Sequence, residues 1–211
     1  MYFAIEGVIG VGKTSLARLL QPVFRAELLL EVFEENPFLS DFYSDRQRYA
    51  FQTQIYFLLS RYRQQRHAVP QALSSGDLIA DYTFAKDALF ARLNLAGDEI
   101  DTYQLVHNAL AERIPRPDLI VYLRVTTEVA MQRISMRDRP YERNMEHSYI
   151  EQLNQAYENF FDQHEKLPVL FIDSTSLDFV AHPNDLEYVA DRIRQKLQIP
   201  PYQQYLPLEK P

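Results

Sequence analysis

The sequence predicts an α/β fold in which five parallel strands form one sheet flanked by helices. Three observations lead there. Short aliphatic or β-branched runs alternate with long amphipathic segments, the pattern of helices that return the chain between parallel strands. The run Tyr2-Phe3-Ala4-Ile5 delivers the chain into Gly7-Val8-Ile9-Gly10-Val11-Gly12-Lys13-Thr14-Ser15, a complete G-x-x-x-x-G-K-[ST] phosphate loop. Ser15 to Leu20 then continues at helical spacing. The loop therefore sits between a strand and a helix, where successive backbone N–H groups and a helix N-terminus hold an anion.

The candidate strands are Tyr2 to Glu6, Glu27 to Glu31, Leu78 to Ala80, Leu119 to Arg124 and Val169 to Ile172. Five strands suit a P-loop kinase fold. The spacing predicts helices over Lys13 to Phe24, Arg46 to His67, Thr83 to Leu95, Glu99 to Arg113, Thr127 to Arg137, Ser148 to His164 and Asn184 to Leu197. Pro115-Arg116-Pro117-Asp118 breaks a helix before the following strand, because proline disfavours helix in the residue preceding it. It reads as a connection, so residues 1–198 form a single domain. Residues 199–211 carry Pro200, Pro201, Pro207 and Pro211 and read as an extended tail.

Composition narrows the partners. A net charge of −7 opposes nonspecific nucleic-acid binding, which needs clustered Lys and Arg. There is no cysteine, no apolar stretch long enough for a membrane span and no signal-peptide pattern, so a cytoplasmic protein is expected. The absence of cysteine removes thiol catalysis and thiolate zinc sites, and the 5 histidines lack close ligand spacing.

Chemistry concentrates in three segments. In the phosphate loop, Gly7, Gly10 and Gly12 let backbone approach the phosphates, Lys13 reaches the β/γ oxygens and Thr14 offers a hydroxyl to Mg²⁺. Glu31 stands at the carboxyl end of the second strand, the end that faces ligand in an open parallel sheet. It is placed to accept a proton from an attacking hydroxyl, although spacing alone favours reading Glu31, Glu34 and Glu35 as solvated acids leading into a helix. Arg133 and Arg137 share a helical face and Arg139 lies just beyond, a set suited to clamping phosphates, against the plainer reading of a solvated basic helix end.

With these residues in view, the chain resembles the deoxynucleoside kinases, closest to their bacterial purine-directed branch, from Met1 to about Asp178. The phosphate loop matches the family's G-N-I-G-x-G-K-[ST], with Val8 in place of Asn. The family's E-P-V motif stands here as Glu31-Val32-Phe33 and implies that Glu31 is the base at the 5′-hydroxyl. Tyr43 to Gln54 resembles the segment with a sugar-contacting Tyr and, eleven residues on, a base-reading Gln, which implies Gln54, with Gln52 as second choice. The [DE]-R-S motif aligns with Asp81-Tyr82-Thr83: Asp81 keeps the acid near Mg²⁺, while Tyr82 replaces an Arg that contacts the 5′-hydroxyl and the catalytic Glu. Lys86, one helical turn on, is the candidate substitute, and Asp87 falls at an acidic base-reading position.

The lid, about residues 133–143, matches R-x-x-x-R-x-R at Arg133, Arg137 and Arg139, and Glu142 takes the place of the Glu that binds the 3′-hydroxyl. Phe171-Ile172-Asp173-Ser174-Thr175-Ser176 is similar to the strand and loop around the donor's adenine. The resemblance implies ATP as donor, Mg²⁺, a homodimer, and phosphorylation of a deoxyribonucleoside, purine ahead of cytosine. The rivals are a nucleoside monophosphate kinase, which needs an extra Arg near its acceptor, and a nonenzymatic nucleotide-binding interaction protein in which Tyr82 marks lost catalysis.

Overall fold

A computed structural model describes residues 1–164 and 167–200; the rest of the Pro-rich tail lies outside the described residues. Its centre is a parallel sheet with strand order β2-β3-β1-β4-β5, formed by β1 (Tyr2–Glu6), β2 (Glu27–Leu29), β3 (Leu78–Ala80), β4 (Leu119–Arg124) and β5 (Val169–Asp173). β1 is buried along its whole length because it has neighbours on both edges and helices on both faces, so its sequence is a continuous apolar run. Phe3 pairs with both Ile79 and Leu119, placing the loop after β1 between the ends of β3 and β4.

The helices are α1 (Lys13–Phe24), α2 (Leu39–Ser44), α3 (Arg46–Ser75), α4 (Ala85–Asn94), α5 (Asp98–Ala111), α6 (Thr127–Arg137), α7 (His147–Gln163) and α8 (Pro183–Leu197), with a 3₁₀ turn at Pro140–Glu142. Several boundaries differ from expectation. α3 runs through Pro70 to Ser75 rather than ending at His67, because Val69 and Ala72 are buried and their packing outweighs the missing N–H. Thr83 is not helical: its N–H and hydroxyl both bond to the buried Glu6 carboxylate, which holds it off the start of α4. The short α2 carries no periodic signal yet buries Leu39 and Phe42. β2 stops at Leu29, so Glu31 stands beyond the strand, its N–H donated to Asp81 at 2.7 Å.

Among the described residues no helix is long and apolar enough to cross a membrane.

Candidate active site

The phosphate loop is shaped by its glycines. Gly10 has φ +85°, and a Cβ there would lie 2.6 Å from the Ala130 carbonyl oxygen and 2.7 Å from the Ile134 side chain. The loop is thus pressed against α6, leaving room for hydrogen only. Gly10→Ala is expected to cost about 1–3 kcal/mol in backbone strain, each kcal/mol lowering Tm by about 2–4 °C; a thermal melt checks this. Lys13 folds back over the loop, its Nζ donating to the Gly7 and Val8 carbonyls at 2.8 and 3.0 Å. Burial, together with the nearby Lys86 charge, pulls its pKa down to about 8 against the opposing pull of Glu6, Glu31 and Asp81. Val8 and Val11 are buried supports, Ile9 lines a cleft that also contains Lys13 and Glu31, and Thr14 and Ser15 are exposed at the start of α1.

Three strand ends meet in front of this loop. The Thr14 hydroxyl donates to one Asp81 oxygen at 2.5 Å, while the other Asp81 oxygen accepts the Glu31 N–H. The Glu31 carboxylate is itself held between two cations. Lys86 Nζ lies 2.6 Å from Oε2, and the Arg61 guanidinium donates to Oε1. Burial alone would raise the Glu31 pKa, but Arg61 and Lys86 hold it well below the usual carboxylate range. Arg61, on α3, also donates to Asp87, so one buried guanidinium joins two carboxylates.

Arg61 is the functional residue that the motif reading missed. It is one of several arginines along α3, beside Arg63 and Arg66, and no local pattern distinguishes it. A signal was present in the periodicity. Gln54, Phe57, Leu58, Arg61 and Gln65 fall on one helical stripe, and all are buried; a cation on an apolar stripe needs a partner.

Tyr82 corrects an expectation. It is buried, but in a separate cluster with Tyr2, Leu29, Val69 and Leu78, and its hydroxyl donates to Gln64 Oε1 at 2.6 Å rather than lining the acceptor cleft. The cation missing at position 82 is supplied from α3 and α4 instead. Gln52 is also corrected: it is exposed on the opposite side of α3 from Gln54. Asp87 does not form the cleft wall, since it lies behind Arg61, which does.

The cleft in front of Glu31 is lined by Tyr43, Gln54, Phe57, Arg61, Lys86 and Glu142, among others. Tyr43 stacks on Tyr141 with centroids 5.9 Å apart. Glu142 is 4% exposed and pairs with Arg137 at 2.6 Å and with Arg139 at 3.6 Å. Arg139 also lies over the Phe33 ring at 4.1 Å.

Arg133 does not join these two arginines, contrary to a clamp of three converging groups. Its guanidinium donates to the carbonyls of Val11, Ser174 and Leu177, lacing the phosphate loop to the loop after β5. It lines a second cleft with Gly12, Ser15, Arg137, Thr175 and Phe179, on the other side of the phosphate loop from Glu31. Arg137 borders both clefts.

Two clefts sharing a phosphate loop and an arginine suit a donor and an acceptor meeting end to end. Residues 3–198 match the family model described as deoxynucleoside kinase. The chain is 35% identical to a deoxyguanosine kinase of Bacillus subtilis over 92% of this chain and 96% of that one. It is 38% identical to a deoxyadenosine kinase of Dictyostelium discoideum over 82% of this chain and 71% of that one. Among solved structures, deoxyadenosine kinase from M. mycoides with bound dATP superposes with a TM-score of 0.80 at 29% identity, covering 92% of this chain and 100% of that one.

Proposed function

This chain belongs to the deoxynucleoside kinase family and is a kinase, and from that premise we propose that it transfers the γ-phosphoryl group of ATP to the 5′-hydroxyl of a purine deoxyribonucleoside. The observation that carries the reading is Glu31: a carboxylate, flanked by Arg61 and Lys86, stands in the same cleft as Lys13. An acceptor monophosphate would meet a negative charge there, with both neighbouring cations already engaged by that acid. An acceptor hydroxyl would meet a hydrogen-bond acceptor.

Glu31 orients the hydroxyl and takes its proton. A carboxylate held so far below its ordinary pKa is a weak base, which suffices because phosphoryl transfer passes through a loose transition state that depends on position and charge. Lys13 meets the β/γ oxygens and Arg137, bordering both clefts, meets the group in transit. Arg133 holds the donor side in shape. Thr14 and Asp81 fit a Mg²⁺ ion: they set a hydroxyl and a carboxylate face to face, and Mg²⁺ takes few protein oxygens beside phosphates and waters. When bound, that ion neutralises charge on the β- and γ-phosphates.

At the sugar, Tyr43 and Glu142 receive the 3′-hydroxyl, and at the far end Gln54 and Arg61 face the base, Asp87 acting through Arg61. The purine preference follows from the names of the deoxyguanosine and deoxyadenosine kinases to which the chain is similar. The reading also takes the enzyme as a cytoplasmic homodimer, supported by the exposed Leu59 and Leu105 on α3 and α5.

The test is phosphorylation of the four deoxyribonucleosides, and separately of their monophosphates, with ATP and Mg²⁺. Product on deoxyguanosine or deoxyadenosine is expected. Product on monophosphates alone, or none at all, overturns the reading.

A further inference from the structure

Behind the Arg61–Asp87 pair lies a group of polar atoms that the mechanism above does not use. Asp87 is fully buried, and its Oδ2 has no hydrogen-bond partner among the described residues, since Arg61 takes only Oδ1. Three more buried atoms without a hydrogen-bond partner among the described residues, Gln65 Nε2, Tyr103 Oη and His107 Nε2, belong to residues that line a neighbouring cavity. Tyr103 and Gln65 are 0% and 1% exposed.

The chain brings them together by two helical repeats. Arg61 and Gln65 are four apart on α3, and Tyr103 and His107 are four apart on α5, so each pair shares a face. Gln65, Tyr103 and His107 line one cavity of about 610 Å³, walled mainly by α4, α5, the connection at residues 114–117 and the end of α7. The His107 ring is stacked near-parallel on Phe84, with centroids 4.9 Å apart, and on Tyr103 at 6.0 Å. Both α5 side chains interact electrostatically with Asp87.

Three buried polar groups facing one cavity, next to a buried carboxylate with one oxygen unpartnered among the described residues, are costly, and such groups are tolerated mainly where they are satisfied together. The set here is complementary. Gln65 and Tyr103 supply donors, Asp87 an acceptor, and His107 either role. A single water needs two to four polar partners, which this set offers.

We propose that Gln65, Tyr103 and His107 are positioning residues that anchor Asp87 from behind, so that Asp87 holds Arg61 at the base end of the acceptor cleft. The inference rests on the reading of that cleft as a deoxyribonucleoside site. Arg61 is shared between Asp87 and Glu31. If Asp87 shifts, the guanidinium follows either it or Glu31, and the nucleoside loses a fixed partner. The donor cleft shares none of these residues, so the effect is confined to the acceptor.

The test compares Tyr103→Phe and His107→Gln with the unaltered protein, measuring nucleoside and ATP dissociation constants by calorimetry, with deoxyguanosine and deoxyadenosine as the nucleosides. Nucleoside affinity is expected to fall roughly tenfold, as for loss of a water-bridged contact to a charged group, which is nearly as strong as a direct one, with ATP affinity changed less than twofold. In an Asp87→Asn background the same changes should add nothing, an outcome that a purely structural role would not produce. Equal weakening of both ligands, additive effects, or unchanged nucleoside binding in both variants would overturn the inference while leaving the kinase reading intact. If the unaltered protein binds no deoxyribonucleoside, the reading of the cleft fails and the inference fails with it.

Discussion

Lys13→Ala is expected to reduce turnover by roughly 10³-fold, by analogy with other cations that neutralise charge in phosphoryl transfer, while leaving the fold intact. The side chain contributes little to the core: among the described residues its ammonium bonds only to the Gly7 and Val8 carbonyls of its own loop, and alanine suits the first turn of α1. Circular dichroism should therefore be unchanged while steady-state kinetics collapse. A second signature follows from the lowered pKa of about 8. Near that pH a fraction of the lysine is neutral before nucleotide arrives. Phosphate charge favours the ammonium, so binding ATP takes up protons at about pH 8 and fewer at pH 6.5, where the lysine is already charged. Calorimetry in buffers of different ionisation enthalpy measures that uptake, and in Lys13→Ala it should vanish. Substantial turnover in the purified variant would remove Lys13 from the mechanism.

Arg61→Leu is expected to be the most destabilising substitution in the site, by about 3–5 kcal/mol at neutral pH, because it leaves two buried carboxylates without their shared cation. Lys86 still answers Glu31, but Asp87 is left with no ion-pair partner among the described residues. The pH dependence separates this from simple loss of packing. In the intact protein Glu31 sits well below the usual carboxylate range, so its contribution is present above about pH 4 and is lost only as pH falls through the lower folded value. In the variant, burial drives the Asp87 pKa up with no guanidinium to oppose it. The unfolded chain then ionises more readily than the folded one, and the penalty is largest at pH 7 and shrinks toward pH 4. Denaturant melts at the two pH values check this; a penalty independent of pH would point to packing alone.

Most of the fold was legible because its signals are local. β1, β3 and β4 each combine a continuous apolar run with a turn or proline boundary, and the phosphate loop is contiguous in sequence. The boundaries that moved did so under long-range influence: Val69 and Ala72 carry α3 past Pro70 by being buried, and Glu6 draws Thr83 out of α4 from 77 positions away. The same division runs through the site. Lys13, Thr14 and Asp81 announce themselves by motif, and the Thr14–Asp81 contact follows once β1 and β3 are neighbours. Arg61 does not, because its meaning lies in Glu31, 30 positions earlier, and Asp87, 26 later, neither of which marks it out from the arginines nearby. Arg133 was legible as a residue and misplaced in space, since its partners are backbone carbonyls that carry no sequence signature.

α3 is one uninterrupted element of 30 residues, about 45 Å of rod at 1.5 Å per residue. Gln54, Arg61, Gln64 and Gln65 are all mounted on it, so a wall of the cleft, the cation beside Glu31 and the tie to Tyr82 share one rigid mount. They cannot be adjusted one at a time by bending the backbone between them. On the proposed reading, a tilt of this rod reaches recognition and chemistry in the same stroke, whereas the second cleft is built on other elements, α1, α6 and the loop after β5. On that reading acceptor choice and catalytic readiness are mechanically geared together, and substrate preference is more readily retuned by exchanging side chains along the rod than by reshaping it.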